Sequence, residues 1–340
     1  MKHIRLTLTI LTLLAFSAVS AFAAKYNFLI ATDAPAGSSW VKAMEEISLK
    51  MQKKFGKDSV EIKVFAGGTM RDNSAVIKKI KMKQLSGAAL SSGGAQLICK
   101  DFGILGFPRM FRTYDEYDYF IDNMGGYFEK EFEKNGFVLM GWSEVGFIQI
   151  FSKKPISNVE ELRNGKPFIL EGDTITKALY DEIKIKPVTT RMADIMTDLN
   201  TGRIETTFCA PYALIATQWF TKVSYMTNFP ITFMLGTIVV DKDLFYSMPA
   251  DYQAEMKKLF KEYMTKLTNQ MRKDNDSAKE NLITKVGLKQ VEVEAGSAKI
   301  FEDVCEKASE NLVKTEYNRE TYETIKALLD NYRAKKGSHE

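Results

Sequence analysis

Few side chains in this sequence of 340 residues could carry acid–base or metal chemistry. Histidine occurs only as His3 and His339, near the two ends of the chain. A catalytic triad, an imidazole general base and a histidine-based zinc site therefore have almost nothing to be built from. The sequence also contains no dinucleotide-binding G-x-G-x-x-G, no Walker A motif and no H-E-x-x-H. These observations predict a protein without catalytic residues, metal or cofactor.

The cysteines do not indicate redox chemistry either. Cys99, Cys209 and Cys305 are far apart in the sequence, and their number is odd. In an oxidising compartment at least one thiol would stay free, and the sequence has no C-x-x-C motif. We expect all three to be small buried hydrophobic residues.

Two short segments could instead bind a small molecule. Ser91, Ser92 and Gly93 could present hydroxyl and backbone N–H groups to a ligand, although a plain tight turn explains them equally well. A second segment concentrates aromatic and small apolar groups, which could form a pocket wall or an ordinary core. The residues of this second segment are Phe208, Ala210, Pro211 and Trp219.

Apolar runs that alternate with helical periodicity indicate how these segments are positioned. Strands are predicted at residues 26–31, 60–65 and 86–90, with a helix at 40–55 and another at 73–83 that Asn73 caps. A second series of short strands and helices follows between residues 168 and 208. Strands that alternate with helices are typical of a parallel α/β sheet. Two such series predict an α/β fold of two lobes with a cleft between them.

The rest of the chain connects and covers these lobes. The pattern predicts a helix at residues 114–134, separate strands at 137–142 and 147–151, a long apolar run at 231–240, and charged helical segments at 251–285 and 302–333. The predicted domains are lobe I at residues 24–147 with 236–250, lobe II at 148–235, and long helical segments at 251–340 that pack across the lobes.

Ligands of parallel α/β sheets collect where strands end. Three loops, at residues 33–40, 66–70 and 91–94, follow predicted strands of the first series. We expect them to converge on the cleft between the lobes. Trp40 and Trp142 lie near these loops and are therefore candidate ligand contacts.

Residues 1–23 have the pattern of a secretory signal peptide. Lys2 and Arg5 form a charged start, residues 6–19 are apolar and free of acidic side chains, and residues 21–23 are a small-x-small cleavage pattern. The alternative is an N-terminal membrane anchor, which is disfavoured because the apolar stretch is short for a spanning helix. We expect cleavage near Ala23 and export of the chain.

The charge pattern argues against nucleic acid as a partner. The sequence has 47 basic and 43 acidic residues and a net charge of +4. The two signs are mixed along the chain, so no concentrated positive field is available for a phosphate backbone.

Several short motifs occur in the order and spacing of a known family. They lie at residues 31–40, 80–88 and 159–166, and at Phe65-Ala66-Gly67-Gly68 and Asp198-Leu199-Asn200-Thr201-Gly202. From about residue 26 to about residue 252, the chain resembles the extracytoplasmic solute-binding subunits of tripartite ATP-independent periplasmic (TRAP) transporters, the dicarboxylate-binding-protein family. The resemblance implies a periplasmic protein of two lobes that traps a ligand between them and works with membrane permease subunits.

This chain departs from the family pattern at the ligand site. Typical members carry an arginine where this sequence has Ile148 and their principal carboxylate-binding arginine where it has Phe168. Their usual Asn-Pro appears here as Ala210-Pro211. Because neither isoleucine nor phenylalanine can replace a guanidinium that binds a carboxylate through two hydrogen bonds, the usual ligand class is not expected. Arg109 and Arg191 are alternative sources of the missing cation.

The sequence therefore predicts a solute-binding subunit for a small, partly hydrophobic ligand. The pattern is closer to an atypical subgroup with apolar pockets, for which the resemblance implies a tetratricopeptide-repeat protein as a further periplasmic partner. Two other interpretations stay open, a binding module of a sensor or of a lipid-handling complex and, less favoured, an enzyme on the same fold.

Overall fold

The structure is a computed structural model, and it describes residues 25–70 and 72–337. The predicted signal peptide at residues 1–23, with its cleavage pattern, lies outside the described residues. The strands are β1 (Tyr26–Thr32), β2 (Val60–Phe65), β3 (Gly87–Ser91), β4 (Phe137–Ser152), β5 (Phe168–Leu170), β6 (Val188–Thr190), β7 (Thr206–Cys209), β8 (Tyr225–Asp241) and β9 (Lys289–Val291).

The helices lie on both sides of these strands and beyond them. They are α1 (Ser39–Phe55), α2 (Asn73–Lys81), α3 (Ser92–Ala95), α4 (Tyr114–Lys134), α5 (Val159–Asn164), α6 (Thr174–Glu182), α7 (Ile195–Thr201), α8 (Pro211–Ala216), α9 (Lys242–Ser247), α10 (Ala250–Thr284), α11 (Ser297–Thr315) and α12 (Arg319–Gly337). Short 3-10 segments occur at Lys100–Gly106, Met192–Asp194 and Trp219–Lys222.

The main sheet has the strand order β2-β1-β3-β8-β4-β7, with β9 beside β8. The predicted parallel pairing is correct for β1 with β2 and for β1 with β3. The long apolar run at 231–240, for which the sequence pattern predicts no strand direction, lies in β8, which runs antiparallel to both β3 and β4. A separate sheet of two parallel strands, β5 and β6, completes the second lobe.

Strands β4 and β8 are long enough to belong to both lobes. They have 16 and 17 residues and pair along almost their whole length. The prediction of two separate strands at 137–142 and 147–151 is therefore wrong. The chain continues through the polar residues between them with a shift of register between Glu144 and Gly146, a position where φ is 117° and glycine is favoured. The predicted lobe boundaries at 147/148 and 235/236 fall inside these two strands.

Three smaller differences have local causes. Asp72, rather than Asn73, caps α2, because its side chain accepts a hydrogen bond from the N–H of Ala75 at 2.9 Å. The predicted turn at residues 91–94 is largely the one-turn helix α3. The single helix predicted at residues 302–333 is two helices, and the Asn318 side chain starts the second by accepting from the N–H of Thr321 at 3.1 Å.

The C-terminal helices are distributed over both lobes. The 35-residue helix α10 packs on β4, on α1 of the first lobe and on α8 of the second. Helix α11 packs on α6 in the second lobe, whereas α12 packs on α4 in the first. Cys99, Cys209 and Cys305 are free and buried, as expected from the sequence.

A buried ion pair fastens α10 to the middle of β4. The side chain of Glu144 is 1% exposed, and the Arg272 guanidinium donates to it, with 2.9 Å between Nε and Oε2. Arg272 also donates to both carboxylate oxygens of Asp118 on α4, at 2.9 and 2.6 Å. A buried carboxylate needs such partners because its desolvation is unfavourable. The pair explains how a charged residue can stand inside a strand that both lobes share.

Replacement of this arginine should destabilise the whole protein. Arg272→Met removes the cation and leaves the Glu144 carboxylate buried and unpaired, so we expect a loss of about 3–5 kcal/mol in the free energy of unfolding. Urea unfolding followed by circular dichroism measures this change. The matched control is Arg319→Met, since Arg319 is 47% exposed and pairs with Glu310 and Glu323. The control should lose less than about 1 kcal/mol, and equal losses in both variants would contradict the role of the buried pair.

Candidate ligand-binding site

A cavity of about 360 Å³ lies between the two lobes. The first lobe contributes the end of β3, the start of α3 and the loop after the first 3-10 segment. The second lobe contributes β5, the loop that follows it, α6 and β7, while β4 and β8 form the wall that both lobes share. The lining residues are Asn73, Ser91, Ser92, Gly93, Gln96, Gly106, Pro108, Ile148, Phe168, Ile169, Leu170, Glu171, Gly172, Asp173, Ile175, Thr176, Leu179, Tyr180, Met192, Phe208, Ile231, Thr232, Phe233 and Met234.

Aromatic rings form one side of the cavity. Phe168 on β5 and Phe208 on β7 meet edge to face, with ring centroids 6.0 Å apart. The Tyr180 ring lies 6.3 Å from Phe208, and its hydroxyl donates to the backbone oxygen of Phe168 at 3.0 Å. This hydrogen bond satisfies the buried phenol and holds β5 against α6. The wall is therefore fixed by packing and by a backbone contact.

Aliphatic side chains complete the apolar lining. Ile148 is 5% exposed on β4, and Ile231 is 6% exposed on β8. Ile175 and Leu179 stand four residues apart in α6, so they occupy the same face of that helix. Thr232 donates through its hydroxyl to the backbone oxygen of Gly106 at 2.8 Å, which ties β8 to the loop of the first lobe.

The polar groups of the cavity are mostly neutral. Ser92 is buried, and Gln96 is half-buried. Both carboxylate oxygens of Asp173 accept from Thr176, one from its N–H at 2.9 Å and the other from its hydroxyl at 2.6 Å. Asp173 is thereby used as the N-cap of α6. Glu171 is exposed at the rim.

Among the residues that the structure describes, no lysine, arginine or histidine lines this cavity. Arg109 donates to the backbone oxygen of Pro230 at 3.3 Å and to Glu302 at 3.2 Å, and its guanidinium stacks on Phe229. Arg191 is 73% exposed and pairs with Asp194. Neither arginine lines the cavity, so neither takes the place there of the arginines expected from the family pattern.

The structure brings six of the predicted site residues to this cavity, and they are Ser91, Ser92, Gly93, Ile148, Phe168 and Phe208. The two predicted tryptophans lie elsewhere. The Trp40 ring packs against the backbone of Gly236, where an added Cβ would lie 2.5 Å from the ring. Trp142 stacks on Phe102 with centroids 5.6 Å apart, on the side of the sheet that α4 covers.

The remaining predicted residues are also outside the cavity. Ala210 and Pro211 are buried where α8 begins, with Pro211 at the first helical position. Trp219 is 5% exposed and packs in the core of the second lobe with Leu214. For these three residues, core packing explains the apolar character that the sequence analysis also attributed to a pocket wall.

Two of the three predicted loops meet at a small neighbouring pocket. The N–H of Gly67 donates to Ala34 and the N–H of Gly68 donates to Thr32, which joins loops 33–40 and 66–70. Asp33 lines this pocket, and burial raises the pKa of its carboxyl group. Asn73 lines both this pocket and the larger cavity. Loops 33–40 and 66–70 thus meet each other, but of the three loops only 91–94 reaches the cavity between the lobes, so the expected convergence of all three on the cleft is wrong.

Several lining residues were missed by the sequence analysis. Ile175 and Leu179 could have been found, because their spacing marks one apolar face of a helix that was predicted. Ile231 and Phe233 could have been found from alternation along the apolar run at 231–240. Gln96 carries no such signal, since it follows a single helical turn and contacts residues that are distant in sequence.

The described residues offer neither a cluster of metal ligands nor a membrane-spanning helix. No group of three or more histidine, cysteine, aspartate or glutamate side chains in this part of the chain is placed to hold a metal ion. Of the described helices, none combines the length and the apolar character needed to cross a membrane.

Solved structures with the same architecture support the description of the fold as two-lobed. A TRAP periplasmic solute-binding protein from Ochrobactrum anthropi aligns with a TM-score of 0.80 and 16% identity, covering 92% of this chain and 97% of that one. The sugar acid binding protein of Advenella mimigardefordensis, in complex with galactonate, aligns with a TM-score of 0.79 and 14% identity, covering 91% and 99%. A TRAP protein from Pseudomonas putida F1 with bound D-glucuronate gives 0.76 and 20%, covering 89% and 96%.

A curated relative and a family model extend these findings to the sequence. The relative is an uncharacterized protein of Salmonella typhimurium named YiiZ, 22% identical over 209 residues, and the match spans 59% of this chain and 63% of the relative. Residues 30–319 match the model of the bacterial extracellular solute-binding proteins of family 7, DctP. Since this match includes most of the chain, the protein belongs to the DctP family of extracellular solute-binding proteins.

Proposed function

We propose that this protein is the periplasmic solute-binding subunit of a TRAP-type secondary transporter and that it captures a small, partly hydrophobic ligand. Family membership and the two-lobed fold support the solute-binding role. The lining of the cavity supports the ligand class. No bond is made or broken in this role; the protein supplies capture, desolvation and a ligand-bound state that membrane permease subunits recognise.

The observation that carries the ligand class is the combination of an apolar wall with the lack of a described cation in the lining. Phe168 and Ile148 both line the cavity, and the family resemblance of the sequence implies arginines at these two positions in typical members. A carboxylate held against them would lose its hydration without gaining a charged partner, which is unfavourable by several kcal/mol. Apolar surface in the same place would gain about 25 cal/mol for each Å² removed from water.

The galactonate and D-glucuronate bound in two of the solved structures do not identify the ligand of this chain. The two proteins are 14% and 20% identical to it, so they inform the fold. Ligand specificity in a shared fold depends on the side chains that line the site. We therefore expect this cavity to discriminate against sugar acids and short dicarboxylates.

Export to the periplasm and the partners belong to the same proposal. The signal-peptide pattern at residues 1–23 supports export. Permease subunits are the partners expected from the family, and the tetratricopeptide-repeat partner stays a prediction from the sequence. N-terminal sequencing of the exported protein should place the cleavage site near Ala23.

Extraction of the natural ligand is the most direct test. Native mass spectrometry of protein purified without refolding should show a bound mass that is released on unfolding and extracts into organic solvent. A bound sugar acid or dicarboxylate would contradict the proposed ligand class. Turnover of the extracted molecule by the protein would contradict the non-catalytic role.

Thermal unfolding should separate ligand classes. Short dicarboxylates such as succinate should leave Tm unchanged at millimolar concentration, because the described lining offers them no cation. A ligand present at 100 times its Kd should stabilise the protein by about 2.7 kcal/mol, a readily measured shift in Tm. Small apolar and amphipathic molecules are the probes expected to produce such shifts. Calorimetry that gives micromolar binding of succinate to the wild-type protein would overturn the proposal.

An arginine at either position of the aromatic wall should weaken apolar ligands, but with different effects on stability. Phe168 is 6% exposed and packs in the core of the second lobe, so Phe168→Arg buries an unpaired charge and should lower Tm strongly. Phe208 is half-buried, so the guanidinium of Phe208→Arg can keep part of its hydration and Tm should fall less. Differential scanning calorimetry measures both shifts. A larger loss in Phe208→Arg, or undiminished binding of apolar probes to it, would contradict this description of the wall.

A further inference from the structure

One polar side chain in the cavity is held by a residue from the far end of the chain. Gln96 follows α3 in the first lobe and lines the cavity. Its side-chain oxygen Oε1 accepts a hydrogen bond from the hydroxyl of Tyr317 at 2.5 Å. Tyr317 lies in the break between α11 and α12, 221 residues later in the sequence.

The position of Tyr317 is fixed by packing. Tyr317 is 6% exposed. Its ring packs edge to face against the ring of Phe107, with the ring centroids 5.0 Å apart. The Lys100 ammonium lies 4.4 Å from the ring centroid. On another side the ring is in close contact with Gly103, where an added Cβ would lie 2.7 Å from Cε1. The hydroxyl therefore has little freedom to move away from Gln96.

This contact leaves the amide nitrogen of Gln96 for the cavity. Burial raises the pKa of Tyr317 to about 12, so the hydroxyl is protonated at neutral pH and donates. A carboxamide has one acceptor atom and one NH₂ group with two donors. With the acceptor engaged by Tyr317, Nε2 has no hydrogen-bond partner among the described residues. Since Nε2 is not one of the buried side-chain atoms that lack a partner, it is accessible from outside the protein interior.

We infer that Gln96 determines ligand specificity by donating a hydrogen bond to an uncharged oxygen acceptor, such as a carbonyl, at one end of an otherwise apolar ligand. Tyr317 is the positioning residue that turns the amide so that its NH₂ group faces the cavity. This inference rests on the proposed function, because it concerns the same cavity. It adds the head-group chemistry that the apolar wall alone does not define.

Two small probes of equal chain length test the inference by calorimetry. 2-Octanone offers only an acceptor, and n-octylammonium offers only donors. Gln96→Leu should weaken 2-octanone about three- to tenfold, the effect of one neutral hydrogen bond of about 1 kcal/mol. Gln96→Glu should weaken 2-octanone and tighten n-octylammonium, because the second carboxylate oxygen then faces the cavity as an acceptor. A reversed preference between the two probes would be informative even if the substitution slightly changes the stability of the protein.

The role of Tyr317 is tested by a double-mutant cycle with the same ketone. Tyr317→Phe should weaken 2-octanone about two- to fivefold in the wild-type background and have no further effect in the Gln96→Leu background. Equal losses in both backgrounds would overturn the positioning role. The matched control is Tyr127→Phe, which removes a hydroxyl contact with Thr321 of α12 away from the cavity and should leave the Kd of 2-octanone unchanged.

The outcomes separate this inference from the proposed function. If neither probe binds the wild-type protein, the proposal of a partly hydrophobic ligand fails and this inference fails with it. If both probes bind and Gln96→Leu leaves the Kd of 2-octanone within twofold, the apolar cavity stands and the role of Gln96 is overturned.

Discussion

The antiparallel pairing of β4 with β8 is the constraint on which the rest of the structure depends. Each strand is long enough to enter both lobes, so the first-lobe sheet and the second-lobe sheet share one hydrogen-bonded ladder. The cavity lies beside this ladder, with Ile148 from β4 and Ile231 from β8 in its wall. Because backbone hydrogen bonds fix the register, the wall has a defined geometry before any ligand is present. The ladder is irregular at three points, one of which is the register shift next to Gly146.

The polar residues of this ladder bind α10, whereas apolar residues of the same ladder line the cavity. Near its middle, the buried Glu144 carboxylate is satisfied by Arg272 from α10, and the hydroxyl of Ser143 is paired with Thr268 of the same helix at 3.1 Å. A few residues later the same strand presents Ile148 to the cavity. The charge of Glu144 is thus neutralised inside the protein, whereas the described lining of the cavity carries no cation for a ligand. This separation is the physical basis for expecting an apolar rather than an anionic ligand.

Sequence patterns were sufficient to predict the bounds of strands and helices where the interactions that define them are local. The strand at residues 60–65 and the helix at residues 114–134 occur with the predicted bounds, since alternation defines the first and the Thr113 cap with apolar periodicity defines the second. The continuity of β4 could not be predicted, because the partner that makes Glu144 acceptable in a strand is Arg272, 128 residues away. Trp142 and Ile148 have the same parity along β4, yet only Ile148 lines the cavity. The intervening register shift breaks the alternation that would have placed them on one face.

The same limit explains why the aromatic wall was predicted and the polar contact was not. Phe208 is recognisable from its residue type near the end of a predicted strand, and Phe168 from the family resemblance, which implies an arginine at its position. The structure brings both to the cavity. Gln96 acquires its place only through Tyr317, and Tyr317 is available only because α11 ends before it while α12 begins after it. Helix α11 packs on the second lobe and α12 on the first, so the break between them must lie where the lobes adjoin. Tyr317, in that break, packs in the core of the first lobe and donates its hydrogen bond to Gln96, which lines the cavity. The C-terminal helices therefore do more than cover the core, because the residue between them holds a side chain that lines the cavity.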